Sequence, residues 1–180
     1  QFQYGWDWGL RMVGCGIMKI PEICAWDDVL IEDAYVHIES LTPEKARLIV
    51  RVRYRSERSG PVSFVLLDNK RKSIDSRKLL PGVREDSVIY DVKEPKLWWC
   101  RGLGEPHLYD FTFQIVNNGR PEDQINLRTG LRTIELVTEK DANGKGESFF
   151  FRLNGVPVFA KGANYIPQDI FQERVTGNHY

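Results

Sequence analysis

The sequence predicts an all-β protein built as an antiparallel sandwich. Three observations carry that prediction. Apolar and polar residues alternate with a period of two through most of the chain, and helical spacing is almost absent. Turn signals such as Ser59-Gly60-Pro61, Asp68-Asn69, Pro81-Gly82 and Asn118-Gly119 separate the alternating runs. Fifteen glycines and nine prolines with 12% aromatic residues suit a turn-rich sheet protein. About seven short strands between roughly residues 28 and 136 indicate an immunoglobulin-like sandwich. The Cys…Trp…Cys pattern of antibody domains is missing, so that likeness is one of architecture.

The strands follow from their side-chain patterns. Residues 34–39 place Ala34, Val36 and Ile38 on one face, with Tyr35, His37 and Glu39 on the other. Residues 48–55 place Leu48, Val50, Val52 and Tyr54 inward and Arg51, Arg53 and Arg55 outward, the pattern of a strand with one wet face. Further strands are predicted at 61–67, 87–92, 108–116 and 125–136, the last broken by Gly130 in a bulge or bend. Asn154-Gly155 splits two apolar runs, 149–153 and 156–160, and supplies the positive φ angles of a two-residue hairpin turn. The two ends do not belong to the sandwich. Residues 1–20 hold Trp6, Trp8 and four glycines before Pro21, and residues 148–180 pass from the hairpin into a polar tail.

Composition narrows the function classes. With 180 residues, 42% apolar and 28% charged, the chain is a folded domain, or one domain with pieces of two others. Lys+Arg and Asp+Glu are both 25, so nucleic-acid binding receives no support from charge. No apolar run approaches the ~20 residues of a membrane span. The chain opens with neither an initiator Met nor a signal pattern and reads as an internal stretch. Cys15, Cys24 and Cys100 form no Cys-x-x-Cys pair, have no histidine at zinc spacing, and read as buried or idle thiols.

Gly5-Trp6-Asp7-Trp8-Gly9 is the most chemical segment. A carboxylate between two indoles suits a sugar, accepting hydroxyl hydrogen bonds while an indole covers a C–H face. It equally suits a core tryptophan pair with a turn-forming Asp. Asp141-Ala142-Asn143-Gly144-Lys145-Gly146 starts like a calcium loop but carries Lys145 and Arg152 at ligand positions, and reads as a hairpin turn. Lys70-Arg71-Lys72 and the arginines of 51–58 read as solvated surface. His37, His107 and His179 lack the partners of a triad or metal site. The adjacent carboxylates Asp27-Asp28 and Glu122-Asp123 read as solvated loops, and Trp98-Trp99 as a cap on one sandwich end.

Several of these segments resemble, in order, the β-mannosidases of glycoside hydrolase family 2. Phe2-Gln3-Tyr4-Gly5-Trp6-Asp7-Trp8-Gly9 is similar to the family's Gly-Trp-Asp-Trp-Gly segment. Pro95-Lys96-Leu97-Trp98-Trp99 with Gly102-Leu103-Gly104-Glu105-Pro106-His107-Leu108-Tyr109 resembles its Pro-x-Leu-Trp-Trp run. Gly130-Leu131-Arg132-Thr133-Ile134-Glu135 resembles the strand closing the central sandwich, and 151–167 the entry into a (β/α)8 barrel. Leu10, Met18 and Cys100 depart from the family pattern and bear on local loop shape.

The resemblance implies an all-β fragment: an immunoglobulin-like antiparallel β-sandwich with flanking strands from two neighbouring domains. Residues 1–21 would end a jelly-roll sugar-binding domain, 22–138 form the sandwich, and 139–180 hold a linker hairpin and the first barrel strand. The parent would remove terminal β-linked mannose with retention, using two glutamates beyond residue 180. No catalytic residue, cofactor or metal falls within this chain on that reading. Asp7 would hold hydroxyls of the terminal mannose, with Trp6 at the pocket wall. Asn164 would lie near the end of the first barrel strand, at the face where barrel sites are built. The implied partner is a β-mannosidic oligosaccharide, not nucleic acid or membrane. The implied compartment is the bacterial periplasm, the cell exterior or a lysosome. Exposed strand edges also allow a homodimer. A stand-alone carbohydrate-binding module or an interaction domain is the alternative.

Overall fold

The computed structural model describes residues 4–7, 9–17, 20–68, 70–166 and 168–179. Trp8, Met18 and Asn69 thus lie outside the described residues. Ten strands are described: β1 (Val29–Leu41), β2 (Lys45–Ser56), β3 (Gly60–Leu67), β4 (Lys72–Leu79), β5 (Gly82–Lys93), β6 (Tyr109–Asn117), β7 (Arg120–Thr129), β8 (Ile134–Val137), β9 (Phe150–Leu153) and β10 (Val156–Val158). Two single-turn 3-10 helices, Gln172–Arg174 and Gly177–His179, follow. The chain forms two compact units, Trp26–Ala160 and, separately, Gln1–Ala25 with Lys161–Tyr180.

The first unit is the expected sandwich with a small third sheet. One sheet has the order β1-β2-β5 and the other β4-β3-β6-β7, with neighbouring strands antiparallel throughout. The fourth strand pairs with β3 rather than β5, unlike the constant-type immunoglobulin arrangement. β2 turns Ala46, Leu48, Val50, Val52 and Tyr54 inward, where all five are buried. Facing them are Phe64 and Leu66 of β3 and Phe111, Phe113 and Ile115 of β6. Phe64 meets Tyr54 and Phe113 edge-on at 5.8 and 5.3 Å, and Tyr90 meets Phe111 at 5.6 Å. Each such buried ring contributes roughly 1.5–3 kcal/mol through burial alone, which makes this seam the main source of stability.

Asn118 (φ 47°) and Gly119 (φ 79°) turn β6 into β7, as their dipeptide predicts. β4 is not among the strands read from the sequence. It is an edge strand whose alternation is mostly Lys, Ser, Asp and Arg, with Leu79 its one buried residue.

The predicted strand 125–136 is two strands in two different sheets. The break has a steric cause. A Cβ at Gly130 would stand 2.7 Å from Cβ, Cγ and Cδ1 of Trp98, so only glycine lets the tryptophan pack there. Leu131 then enters the core, and the chain reaches β8 at Ile134. β8 pairs with β9, and β9 with β10, across the Asn154-Gly155 turn (φ 49° and 80°). Residues 159–166 form no strand.

Candidate functional site

The Gly5–Gly9 segment is a tight turn. The Trp6 N–H donates to the Gly9 carbonyl at 3.5 Å, and the Gly9 N–H donates to the Trp6 carbonyl at 3.0 Å. Gly5 sits at φ 111°, a conformation side chains rarely adopt. A Cβ at Gly9 would press to 3.3 Å from the Trp6 Cβ. The flanking glycines therefore close the turn, and closure puts Asp7 at its exposed tip. Trp6 is 63% exposed, so in this chain it is a surface ring rather than a core one. The turn offers an acceptor carboxylate next to an open indole face, the two elements that grip a pyranose.

Asn164 is exposed in the strand-free stretch 159–166. Among the described residues, no hydrogen bond joins the side chains of Trp6, Asp7 and Asn164. The structure brings Trp6 and Asp7 together on one turn and does not link Asn164 to them.

Other groups singled out in the sequence have structural partners. Of the four carboxylates read as solvated loops, Asp27 is exposed, whereas Asp28, Glu122 and Asp123 have partners. Glu122 and Asp28 both bind the Arg58 guanidinium, Asp28 at 3.2 Å, and Glu122 is only 19% exposed. Asp123 accepts the Ile31 N–H at 2.6 Å, joining β7 to β1 across the sandwich edge. Glu122 and Asp123 turn inward, where the Arg58 guanidinium and the β1 N–H need acceptors, while Asp28 meets Arg58 from the exposed side.

Arg71, read as solvated, stacks 4.4 Å over the Tyr90 ring and donates its Nε–H to the Tyr90 hydroxyl at 3.1 Å. Tyr90 in turn donates to Asp68, which also accepts the backbone N–H groups of Lys70 and Arg71 at 2.7 and 2.5 Å. Burial pushes the Asp68 carboxyl up, but the Tyr90 hydroxyl, those two N–H groups and the Arg71 charge outweigh it and hold it below the usual carboxylate range. Burial and the Asp68 hydrogen bond raise Tyr90. Neither the Arg58 clamp nor this triad has a local sequence signal, because the partners are 64 and 22 residues apart.

The Trp98 loop joins the sandwich to the third sheet. The Trp98 N–H donates to the Leu131 carbonyl at 2.8 Å, its carbonyl accepts from Asn154 Nδ2 at 3.0 Å, and Arg132 stacks 4.5 Å over its ring. The calcium-like segment folds as a turn bridged by Lys140 and Glu147. His37 faces solvent on β1 opposite Ile49, His107 packs edge-on to Tyr109 at 4.8 Å, and His179 contacts Thr176. Among the described residues the three cysteines are free and no helix is long and apolar enough to cross a membrane.

The family described as Glycosyl hydrolases family 2 matches residues 29–132, from the first residue of β1 to the loop before β8. The chain belongs to glycosyl hydrolase family 2. Over all of its length it is 30% identical to Beta-mannosidase B of Aspergillus terreus and 31% identical to that of Aspergillus flavus. It spans 21% of the length of each of these relatives. Among solved structures, the β-D-mannosidase of Dictyoglomus thermophilum superposes with a TM-score of 0.89 at 34% identity, over 99% of this chain and 22% of that one. The exo-chitosanase CsxA of Amycolatopsis orientalis shares the fold, with a TM-score of 0.61 at 21% identity over 78% of this chain and 16% of that one. This family 2 chain thus covers about a fifth of its mannosidase relatives.

Proposed function

We propose that this family 2 chain is the non-catalytic connector of an exo-acting, retaining β-mannosidase that releases terminal β-linked mannose. The supporting observation is where the likeness extends. The family match covers the sandwich at 29–132, whereas the likeness to the β-mannosidases takes in the whole chain, including the Gly5–Gly9 turn and the hairpin. On this reading residues 1–21 complete a sugar-binding jelly roll, 22–138 space the domains, and 139–180 lead into the barrel. Asp7 accepts hydroxyls of the terminal mannose, Trp6 lines the pocket wall, and Asn164 contributes from the barrel side. The acid/base and nucleophile are two glutamates of the longer polypeptide, about 5 Å apart as retention requires.

The test pairs two measurements. The purified chain should give no protein-dependent turnover of 4-nitrophenyl β-mannoside. In the longer enzyme, Asp7→Ala should lower kcat/KM by roughly 10–100-fold, the worth of one or two charged hydrogen bonds lost from the bound state. Turnover by the chain alone, or an unchanged kcat/KM in the variant, overturns the proposal. The exposed Trp6–Asp7 pair favours one rival, a self-sufficient binding module. Micromolar binding of mannobiose to the isolated chain, abolished by Asp7→Ala in calorimetry, would decide for that rival.

A further inference from the structure

The outer face of the β1-β2-β5 sheet holds a cavity of ≈ 420 Å³, lined among others by Asp33, Tyr35, Arg51, Arg53, Glu85 and Ser87. Register lays these residues in two cross-strand rows, Tyr35–Arg51–Ser87 and Asp33–Arg53–Glu85. They face away from the core because β2 buries the alternate residues Val50, Val52 and Tyr54. All of them lie within the Trp26–Ala160 unit.

Charges around the cavity neutralise one another, while several of those inside it do not. Lys45 meets Asp91 at 2.7 Å, and Arg47 meets Glu39 at 3.1 Å. Glu32 takes both Arg53 and Arg55, at 3.4 and 3.0 Å. It stands beside both because a bulge inserts it between Ile31 and Asp33, out of the regular register. Arg53 thus pairs with Glu32 rather than with Asp33 or Glu85, its neighbours in the row. Among the described residues, the Asp33 and Glu85 carboxylates have no hydrogen-bond or ion-pair partner, and Arg51 has no carboxylate. Arg51 donates instead to the Tyr35 hydroxyl at 3.1 Å, and Tyr35 stays 48% exposed.

We propose that this cavity binds a neutral sugar of disaccharide size. Tyr35 lies against its C–H face, Arg51 and Ser87 donate to its hydroxyls, and Asp33 and Glu85 accept from them. The unmatched groups select that chemistry. An anion drawn to Arg51 also meets Asp33 and Glu85, and a cation drawn to the carboxylates also meets Arg51 and Arg53. A hydroxyl both donates and accepts, so a polyol satisfies the two kinds of group without bringing charge. The half-exposed Tyr35 ring supplies the apolar wall that a pyranose C–H face needs. Size agrees, since small-molecule pockets span about 300–1,000 Å³. The site includes none of Trp6, Asp7 and Asn164, and it stands independently of the mannosidase reading.

Cellobiose is the probe. It is neutral, has flat C–H faces and contains no mannose, so the terminal-mannose contacts assigned to Asp7 stay out of play. Titrated into the isotope-labelled chain, it should shift the backbone amides of 33–35, 51–53 and 85–87 saturably, with a millimolar Kd. Tyr35→Ala should raise that Kd at least about threefold, through loss of the ring contact. Asp33→Asn with Glu85→Gln should raise it too, and should let inorganic phosphate shift the same amides, which it does not do in the wild type. Asp7→Ala should leave the Kd unchanged, as should Gln124→Ala on the exposed face of β7. In the longer polypeptide, saturation transfer to cellobiose should fall with Tyr35→Ala and not with Asp7→Ala. No saturable shift at these amides, no transfer in the longer polypeptide, or an unchanged Kd in Tyr35→Ala overturns the proposal. Phosphate or ethanolamine binding the wild type more tightly than cellobiose overturns the assigned ligand class. Loss of cellobiose binding on Asp7→Ala overturns the site and supports the binding-module rival instead.

Discussion

Gly130→Ala isolates the contact that divides the sandwich from the third sheet. Gly130 has no left-handed φ, so backbone geometry accepts alanine there. Fewer unfolded conformations would then stabilise the variant by about 0.4–1 kcal/mol. Sterics oppose this. The new Cβ would stand 2.7 Å from Cβ, Cγ and Cδ1 of Trp98, whereas carbon pairs rest at about 3.5–4.0 Å. Trp98 has to retreat by about 1 Å, against its backbone hydrogen bonds to Leu131 and Asn154 and the Arg132 guanidinium on its ring. Overpacking of this kind costs about 1–3 kcal/mol, so the net effect is destabilisation by roughly 1–2 kcal/mol. Thermal unfolding should show Tm lower by roughly 3–8 °C. The decisive arm is the double-mutant cycle. In a Trp98→Ala background the clash is gone, and Gly130→Ala should turn neutral or stabilising. A raised Tm in the wild-type background, or the same change in both backgrounds, refutes the steric account.

Three other perturbations test the interactions that sequence reading missed. Arg58→Met strands Glu122 in a mostly buried position and should cost about 1–3 kcal/mol in urea unfolding; adding Glu122→Gln should recover part of the loss, and no recovery would mean the pair is inert. Asp68 has a folded pKa below its unfolded value near 4, so its stabilisation is complete above that value and is lost as pH falls through the folded one. The stability gap between wild type and Asp68→Asn in urea unfolding, about 1 kcal/mol because the carboxylate is partly solvated, should therefore hold steady from about pH 7 to 5 and shrink below about 4. Asn154 sits at φ 49°, accepts the Thr133 N–H at 2.9 Å and donates to Trp98. Asn154→Gly keeps the turn and loses both bonds, while Asn154→Ala adds roughly 1–2 kcal/mol of left-handed strain; Tm should fall in the order wild type, Gly, Ala, and equal values for Gly and Ala would contradict the strain.

What the sequence revealed divides along a physical line. Alternation reports which side of a strand is covered, so β1, β2, β3, β5 and β6 were legible from side-chain type alone. β4 escaped because an edge strand with Lys72, Asp75, Arg77 and Lys78 has little to bury on either face. Gly130 was legible as a break but not as the seat of Trp98, since the two are 32 positions apart (130 − 98) and nothing local joins them. Trp6 and Asp7 stand out by residue chemistry as well as by motif resemblance, and Asn164 by resemblance alone. Two glycines explain why the first two share an exposed turn, while no pattern in the chain predicts where Asn164 lies relative to them. The third sheet carries the argument furthest. Ile134-x-Leu136, Phe151-x-Leu153 and Val156-x-Val158 keep the two-residue spacing, and register puts these six side chains on one face. In β2 the same alternation is matched by Phe64 and Phe113 on the facing sheet. Around Ile134 and Phe151 it is matched by solvent in this chain. Alternation encodes that a face is to be covered and is silent about the cover. The mismatch between pattern and exposure is therefore the signal that singles out this sheet.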